Sequence, residues 1–219
     1  MSMNIIIMGP PGAGKGTQSA KIIEEYKIPH ISTGDMFRAA MKDKTPMGIE
    51  AQKYVDQGEL VPDSVTNEIV RERLAQYDCE NGFLLDGFPR NPDQAAALDV
   101  MLAEKGRKID VVLNIDVPTD LLTERLTGRR VCRNCGATYH IVYNPPKVDG
   151  VCDVCGGELY QRSDDTEEKI TTRLSLYFAE TKPVIDYYQK NGILRTVDGT
   201  LGMEHVYEAI QSILGGGNK

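Results

Sequence analysis

The sequence has no apolar run approaching the roughly 18 residues that a membrane-spanning helix needs, which argues against a helical membrane protein. It has no excess of basic charge either. Lys and Arg number 25 against 32 Asp and Glu, a net charge of -7, which is unlike a general nucleic-acid binder. An anionic small molecule stays open, because a few Arg in a cleft outweigh distant surface charge. The opening MSMNIIIMG carries no basic region and no cleavage-site pattern, so no signal peptide is expected and the cytoplasm is the expected location. Internal repeats and low-complexity linkers are missing. Tryptophan is absent. Histidine occurs only at His30, His140 and His205, none of them in a motif that suggests a base, so each is expected to be structural. Cysteine is scarce, five in 219 residues, and disulfides are not expected in a reducing compartment. Cys79 stands alone in YDCENG and is expected to be structural.

What remains is ordinary globular composition, 41% hydrophobic and 26% charged, in a chain long enough for one well-buried core. Apolar runs typical of buried strands recur at Asn4–Met8, Ile28–Ile31, Gly82–Leu85, Ile109–Ile115 and Ile193–Val197. Helical spacing occupies Gln18–Tyr26, Val65–Ala75, Pro92–Glu104 and Pro118–Thr127, then a long helix over Glu167–Gln189 and a last one over Met203–Leu214. This alternation predicts an α/β fold with a parallel five-stranded sheet covered by helices on both faces. Two excursions interrupt it. Residues 32–61 read as short helices, and residues 128–165 are rich in Cys, Gly, Pro and Tyr without helical periodicity. The tail GGGNK has nothing apolar to pack and is expected to fray.

MGPPGAGKGTQ, from Met8 to Gln18, follows a strand and opens a helix, the context of a phosphate-binding loop. Gly9, Gly12 and Gly14 permit positive φ and close approach of an anion to the main chain. Amides from Gly12 through Ala13, Gly14, Lys15 and Gly16 to Thr17 would converge on it, aided by the helix N-terminus. Lys15 would supply a compact charge for the β- and γ-phosphates. The pattern breaks at one place, where Gly16 occupies the position of the magnesium-binding hydroxyl and Thr17 comes one residue late. Asp86, ending the GFLLD strand, is the candidate to hold magnesium through water.

Cys132-x-x-Cys135 and Cys152-x-x-Cys155 form two knuckles of a zinc-ribbon pattern, each able to take two corners of a tetrahedron. Gly136 and Gly156 follow the knuckles where each turn must close. Four protein thiolates leave no open position for water, so the metal would be structural and would staple a segment too small for its own core. Iron, a redox disulfide pair or a site empty in the cell are the other readings of the same four residues.

GPPGAGKGTQ, HISTGDMFR, GFLLDGFPRNPDQ, LTGRRVC and YQRSDDTEE…TTRL, in that order, resemble the nucleoside monophosphate kinases, most closely the bacterial adenylate kinases among them. The resemblance runs from about residue 3 to 214, and Gly-Lys-Gly-Thr is that family's own form of the loop. It implies a core of residues 1–31, 62–127 and 166–219, a monophosphate-binding insert at 32–61 and a lid at 128–165. It implies reversible transfer of the γ-phosphoryl of MgATP to AMP, giving two ADP; no interface pattern stands out, so a monomer is expected. Arg38 and Arg90 would clamp the AMP phosphate; Thr33 and Gln94 would meet its adenine. Glu59, Leu60 and Val61, with Gly87, Phe88, Pro89 and Arg90, would line the same pocket. Arg129, Arg162 and Arg173 would reach the transferring phosphates, the latter two also serving AMP. Arg125, Thr138, Tyr139 and the backbone near Leu201 would contact ATP. Asp164 and Asp165 would act in lid closure, while Arg130 and Arg133 are left as solvated side chains. Four Cys match the long-lid form that carries zinc. A kinase for another monophosphate is the nearest alternative. A nucleic-acid-reading ribbon is disfavoured, since Arg129, Arg130, Arg133, Lys147 and Arg162 are balanced by Asp149, Asp153, Glu158, Asp164 and Asp165, with no row of aromatics to stack bases.

Overall fold

The computed structural model describes residues 3–215. From Gly216 onward the glycine tail lies outside the described residues. Five strands, β1 (Met3–Met8), β2 (His30–Ser32), β3 (Gly82–Asp86), β4 (Val111–Asp116) and β8 (Leu194–Asp198), pair in parallel in the order β2-β3-β1-β4-β8. Between them run α1 (Lys15–Tyr26), α2 (Thr33–Lys42), α3 (Pro46–Val55), α4 (Asp63–Leu74), α5 (Pro92–Ala103), α6 (Thr119–Thr127), α7 (Glu167–Leu176), α8 (Lys182–Lys190) and α9 (Met203–Leu214). Segment 128–165 makes a second, antiparallel sheet from β5 (Arg129–Cys132), β6 (Thr138–His140) and β7 (Leu159–Tyr160), ordered β6-β5-β7.

The period-two alternation of strand residues sends them to opposite faces, and two apolar clusters result. Ile6, Met8, Phe83 and Leu85 pack with Leu74 of α4, Leu98 of α5 and Tyr188 of α8. Ile5, Ile7, Leu84 and Leu113 pack with Ile22 of α1, Leu122 of α6 and Ile210 of α9. Fully buried Ile and Leu contribute roughly 2 kcal/mol each, so this sandwich dominates stability and makes the sheet a rigid platform.

Several boundaries differ from those the sequence predicts, three of them for a clear local reason. β2 starts at His30 because Pro29 has no N–H to give; its carbonyl still accepts from Leu84 N at 2.9 Å. α1 begins three residues earlier than its apolar pattern, since the loop glycines lead directly into it. The long helix expected over Glu167–Gln189 divides into α7, a π-helical turn at Tyr177–Thr181, and α8 with a proline in its first turn. Pro183 cannot donate to the preceding turn and its ring crowds that turn's carbonyl, so the helix widens there and continues.

Candidate active site

The C-terminal ends of β1 and β3 lie side by side, with Ile7 paired to Asp86, the edge where open parallel sheets place their ligands. The chain leaves β1 through Gly9, which passes so close to β4 that a Cβ would lie 2.5 Å from Ile115 O. Gly14, at φ 96°, is the left-handed residue that starts α1, and no side chain caps that helix, the arrangement in which an anion can serve as cap. Lys15 is aimed by the loop itself: its Nζ donates to Gly9 O at 2.8 Å and Pro10 O at 3.1 Å. Burial pulls its ammonium down to about 8, with Asp86 pulling the other way. Asp86 is also buried, yet His30 and Lys15 hold its carboxyl below the usual range; His30 Nε2 stands 3.5 Å from Oδ2.

On the insert side, Thr33 Oγ1 donates to Gly87 O at 2.8 Å and Arg90 Nε donates to the same carbonyl at 2.8 Å. Arg38 pairs with Asp35 one turn earlier on α2. Gln94 is almost fully buried and engaged at both ends, accepting from Arg90 N at 2.8 Å and donating to Asp63 Oδ1 at 2.6 Å. The side chain expected to meet a base is therefore already fixed by protein partners. Val61 and Phe88 are buried in the apolar cluster below, Leu60 is half-buried, and Glu59 is exposed.

On the lid side, Arg129 makes a forked pair with Asp165, Nε to Oδ2 at 2.8 Å and Nη2 to Oδ1 at 2.5 Å. Arg173 reaches Asp165 at 3.0 Å and Asp164 at 3.2 Å. Asp165 is fully buried, so these carboxylates are internal struts and not surface groups. Arg162 comes within 3.8 Å of Asp35, linking segment 128–165 to segment 32–61, while its buried Nε has no protein partner. Thr138 Oγ1 stands 4.0 Å from where a Cβ on Gly16 would be, so segment 128–165 lies beside the glycine loop.

These groups share one electrostatic neighbourhood. Lys15 feels Asp86, Arg90, Arg173 and Arg129, while Arg162 feels Arg38, Arg129, Asp35 and Asp164. Burial and neighbouring guanidiniums bring Arg90 and Arg162 each down to about 10. Lys15, Arg38, Arg90, Arg129, Arg162 and Arg173 outnumber Asp35, Asp86, Asp164 and Asp165, leaving a positive cleft suited to polyanions. Arg125 lies outside that group: its guanidinium donates to Gly199 O at 3.1 Å, in the loop that also carries the exposed Leu201. Tyr139 also departs from expectation in its side chain, which belongs to the ribbon core. Its hydroxyl accepts from Asp153 N at 2.8 Å and lies 3.5 Å from Cys152 Sγ.

The four thiols of Cys132, Cys135, Cys152 and Cys155 lie within 4.8 Å of one another. The knuckles repeat one another's backbone: Gly136 N bonds Cys132 O at 3.1 Å and Gly156 N bonds Cys152 O at 2.9 Å, both glycines at positive φ. The Tyr139 hydroxyl helps draw the Cys152 thiol down to about 6, which favours thiolate. A closed four-sulfur donor set of this kind suits a tetrahedral metal.

A sequence profile described as adenylate kinase matches residues 7–193. The chain belongs to the adenylate kinase family. Curated adenylate kinases agree with it almost end to end. That of Limosilactobacillus reuteri is 62% identical over 213 residues, 97% of this chain and 98% of the relative. That of Carboxydothermus hydrogenoformans is 60% identical over 212 residues, 97% and 99%. That of Bacillus subtilis is 58% identical over 214 residues, 98% and 99%. Nucleotide-binding kinase chemistry thus goes with the positive cleft. For an adenylate kinase, three further side chains support the site. Asp35 lies one turn before Arg38 within the quoted STGDMFR; Asp63 anchors Gln94 and Asn91; His30 flanks Asp86.

Proposed function

We propose that the chain transfers the γ-phosphoryl of MgATP to AMP, reversibly, forming two ADP. The observation that carries this reading is the meeting of Lys15, Arg90, Arg129, Arg162 and Arg173, from four separate stretches of chain, in one buried neighbourhood. Phosphoryl transfer needs in-line placement and neutralised charge more than a proton-transferring base, and this cleft supplies both. Lys15 and the amides of the glycine loop bind and orient the ATP phosphates. Arg38 and Arg90 clamp the AMP phosphate; Arg162 and Arg173 face both nucleotides, and Arg129 faces the moving group from the lid. Thr33 and Gln94 set the AMP pocket, with Gln94 acting through Arg90, whose N–H it accepts. Residues 128–165 close as a lid and 32–61 as an insert, excluding water. Asp86, an ionised carboxylate beside the loop, would hold the magnesium of MgATP through water, where that ion neutralises phosphate charge. Cys132, Cys135, Cys152 and Cys155 would hold a structural zinc that staples the lid.

A coupled assay across AMP, GMP, CMP and UMP tests the substrate. Turnover with AMP at least about tenfold above the others is expected, since rejecting a base that leaves buried polar groups unpaired is worth more than 1.4 kcal/mol. Comparable turnover with UMP or CMP would move the assignment to another monophosphate. Lys15→Met should abolish transfer; a rate within about threefold of wild type, under 1 kcal/mol, would displace the site from the glycine loop.

A further inference from the structure

His140 ends β6, and its ring is held on every side. Nδ1 accepts from Val142 N at 3.0 Å and from Tyr143 N at 3.1 Å. A nitrogen that accepts two N–H bonds carries no proton, so the proton of the neutral ring sits on Nε2. Nε2 lies 3.3 Å from Glu124 O, a carbonyl in the last turn of α6 that also accepts from Gly128 N at 3.0 Å. The Tyr143 ring stacks on the imidazole at 4.5 Å, and its hydroxyl donates to the Glu124 carboxylate at 2.6 Å. Ile141 N donates to Gly128 O at 3.0 Å, and His140 is in register with Arg129.

Gly128 gives the second observation. It has ordinary helical backbone, φ -79° and ψ -8°, so conformational freedom does not require glycine there. Space does: a Cβ at residue 128 would lie 2.3 Å from His140 Nε2 and 2.5 Å from Cε1. The imidazole occupies the volume that any other residue would need, at the point where the chain enters the lid.

We propose that His140 is a positioning residue: its Nε2-protonated imidazole clasps β5 and β6, the lid strands bearing Arg129 and Thr138, to the end of α6. The clasp seats on Gly128 and uses Glu124 O as its fixed point. It makes the first lid crossing stiff, so that Arg129 and Thr138 arrive over the glycine loop in register. Its catalytic consequence rests on the ATP-side assignment of those two residues; the clasp itself does not.

Two-bond proton–nitrogen NMR of the full-length protein reads the ring directly. A protonated Nε2 and an acceptor Nδ1 are expected at neutral pH; a protonated Nδ1, or a rapidly averaging pair, overturns the proposal. A double-mutant cycle reads the packing. Gly128→Ala should lower Tm by about 5 °C or more in the wild-type background, as overpacking does, and by less than about half of that in His140→Ala. Equal losses in both backgrounds would show that the ring does not set the glycine requirement. His140→Asn, which keeps an acceptor near Nδ1 but loses Glu124 O, should raise KM for ATP about fivefold and leave KM for AMP within about twofold. His140→Gln, whose amide can reach Glu124 O, should recover part of that loss. An ATP effect in both variants alike, without the NMR signature, would mark His140 as a direct ligand contact and sink the clasp. If Arg129→Ala leaves ATP kinetics intact while NMR and the cycle come out as stated, the ATP-side assignment fails and the clasp stands.

Discussion

Lys15 is buried deeply enough to lose part of its charge near pH 8, although Asp86 favours the ammonium. A bound phosphate chain would move its titration back toward the ordinary lysine value of about 10.4. Between those values the free enzyme has shed a proton that the liganded enzyme keeps. Nucleotide binding near pH ~9 therefore takes up a proton, and near pH ~6 this group takes up none. Calorimetry of ATP binding at the higher pH, in two buffers of different ionisation enthalpy, should give different heats. Lys15→Met should erase Lys15's share of that difference. Equal heats for wild type would mean that Lys15 stays charged in the free protein. The same shift acts on folding: the unfolded chain binds more protons between about 8 and ~10.4, so this group's contribution to stability improves with pH across that window. Below about 8 the cost of a buried ammonium is fully present. Asp165 is the complementary case, a fully buried carboxylate shared by Arg129 and Arg173. Asp165→Asn keeps the shape and leaves two guanidiniums facing a neutral amide. A loss of about 3 kcal/mol in denaturant unfolding is expected, together with reduced turnover. A change under about 1 kcal/mol would show these pairs to be interchangeable with water.

At the scale of elements, the ribbon has a small core of its own, Cys132, Tyr139, Cys152 and Leu159 with Ala137 against them. Such a core cannot by itself stabilise three short strands, so a metal held by the four Cys would contribute folding energy directly. Chelation at raised temperature should lower Tm, with transfer retained while the enzyme stays folded. Loss of transfer in a fully folded, chelated enzyme would contradict a structural role. Tyr139→Phe removes the acceptor of Asp153 N and the hydroxyl beside Cys152, and should speed metal release to a colorimetric chelator. The strands and helices of the core were legible because each shows a clean period, as Asn4–Met8 and Met203–Leu214 do. The ribbon strands were not, because two to four residues between knuckles carry no period to read. The π-helical turn before Pro183 also escaped, since a widened turn leaves the apolar spacing on either side intact. Within the site, Lys15, the Cys set and the Arg sat inside motifs and could be named. Asp63 could not, because its importance lies in the distant side chain it touches, Gln94; nor could the pairing of His30, which opens HISTGDMFR, with Asp86.

Across the whole molecule, three close approaches join segments 32–61 and 128–165 to each other and to the core: Arg162 lies 3.8 Å from Asp35, a Cβ on Gly16 would lie 4.0 Å from Thr138 Oγ1, and a Cβ on Gly58 would lie 3.4 Å from Lys169 O. Together they gather Lys15, Arg38, Arg90, Arg129, Arg162 and Arg173 around one cleft. Their mutual repulsion adds to burial in lowering Lys15, Arg90 and Arg162, against the upward pull of Asp86, Asp35 and Asp164. A phosphate chain neutralises that repulsion; the protein alone has only the four nearby carboxylates to offset it. Closure should therefore depend on an anion, and the protein by itself should open in solution. Small-angle scattering on the free enzyme should give a larger radius of gyration than the same enzyme with a dinucleotide of two adenosines joined by a phosphate chain. Because the opposing force is electrostatic, raised salt should shrink the free enzyme part of the way, as screening shortens to ~3 Å near 1 M. Asp35→Ala, which removes the lid-to-insert pair, should weaken closure by no more than about 1 kcal/mol, since that pair is long and half exposed. One radius in all conditions would mean that packing, and not charge, holds the lid down, and the convergent Arg would then need another explanation.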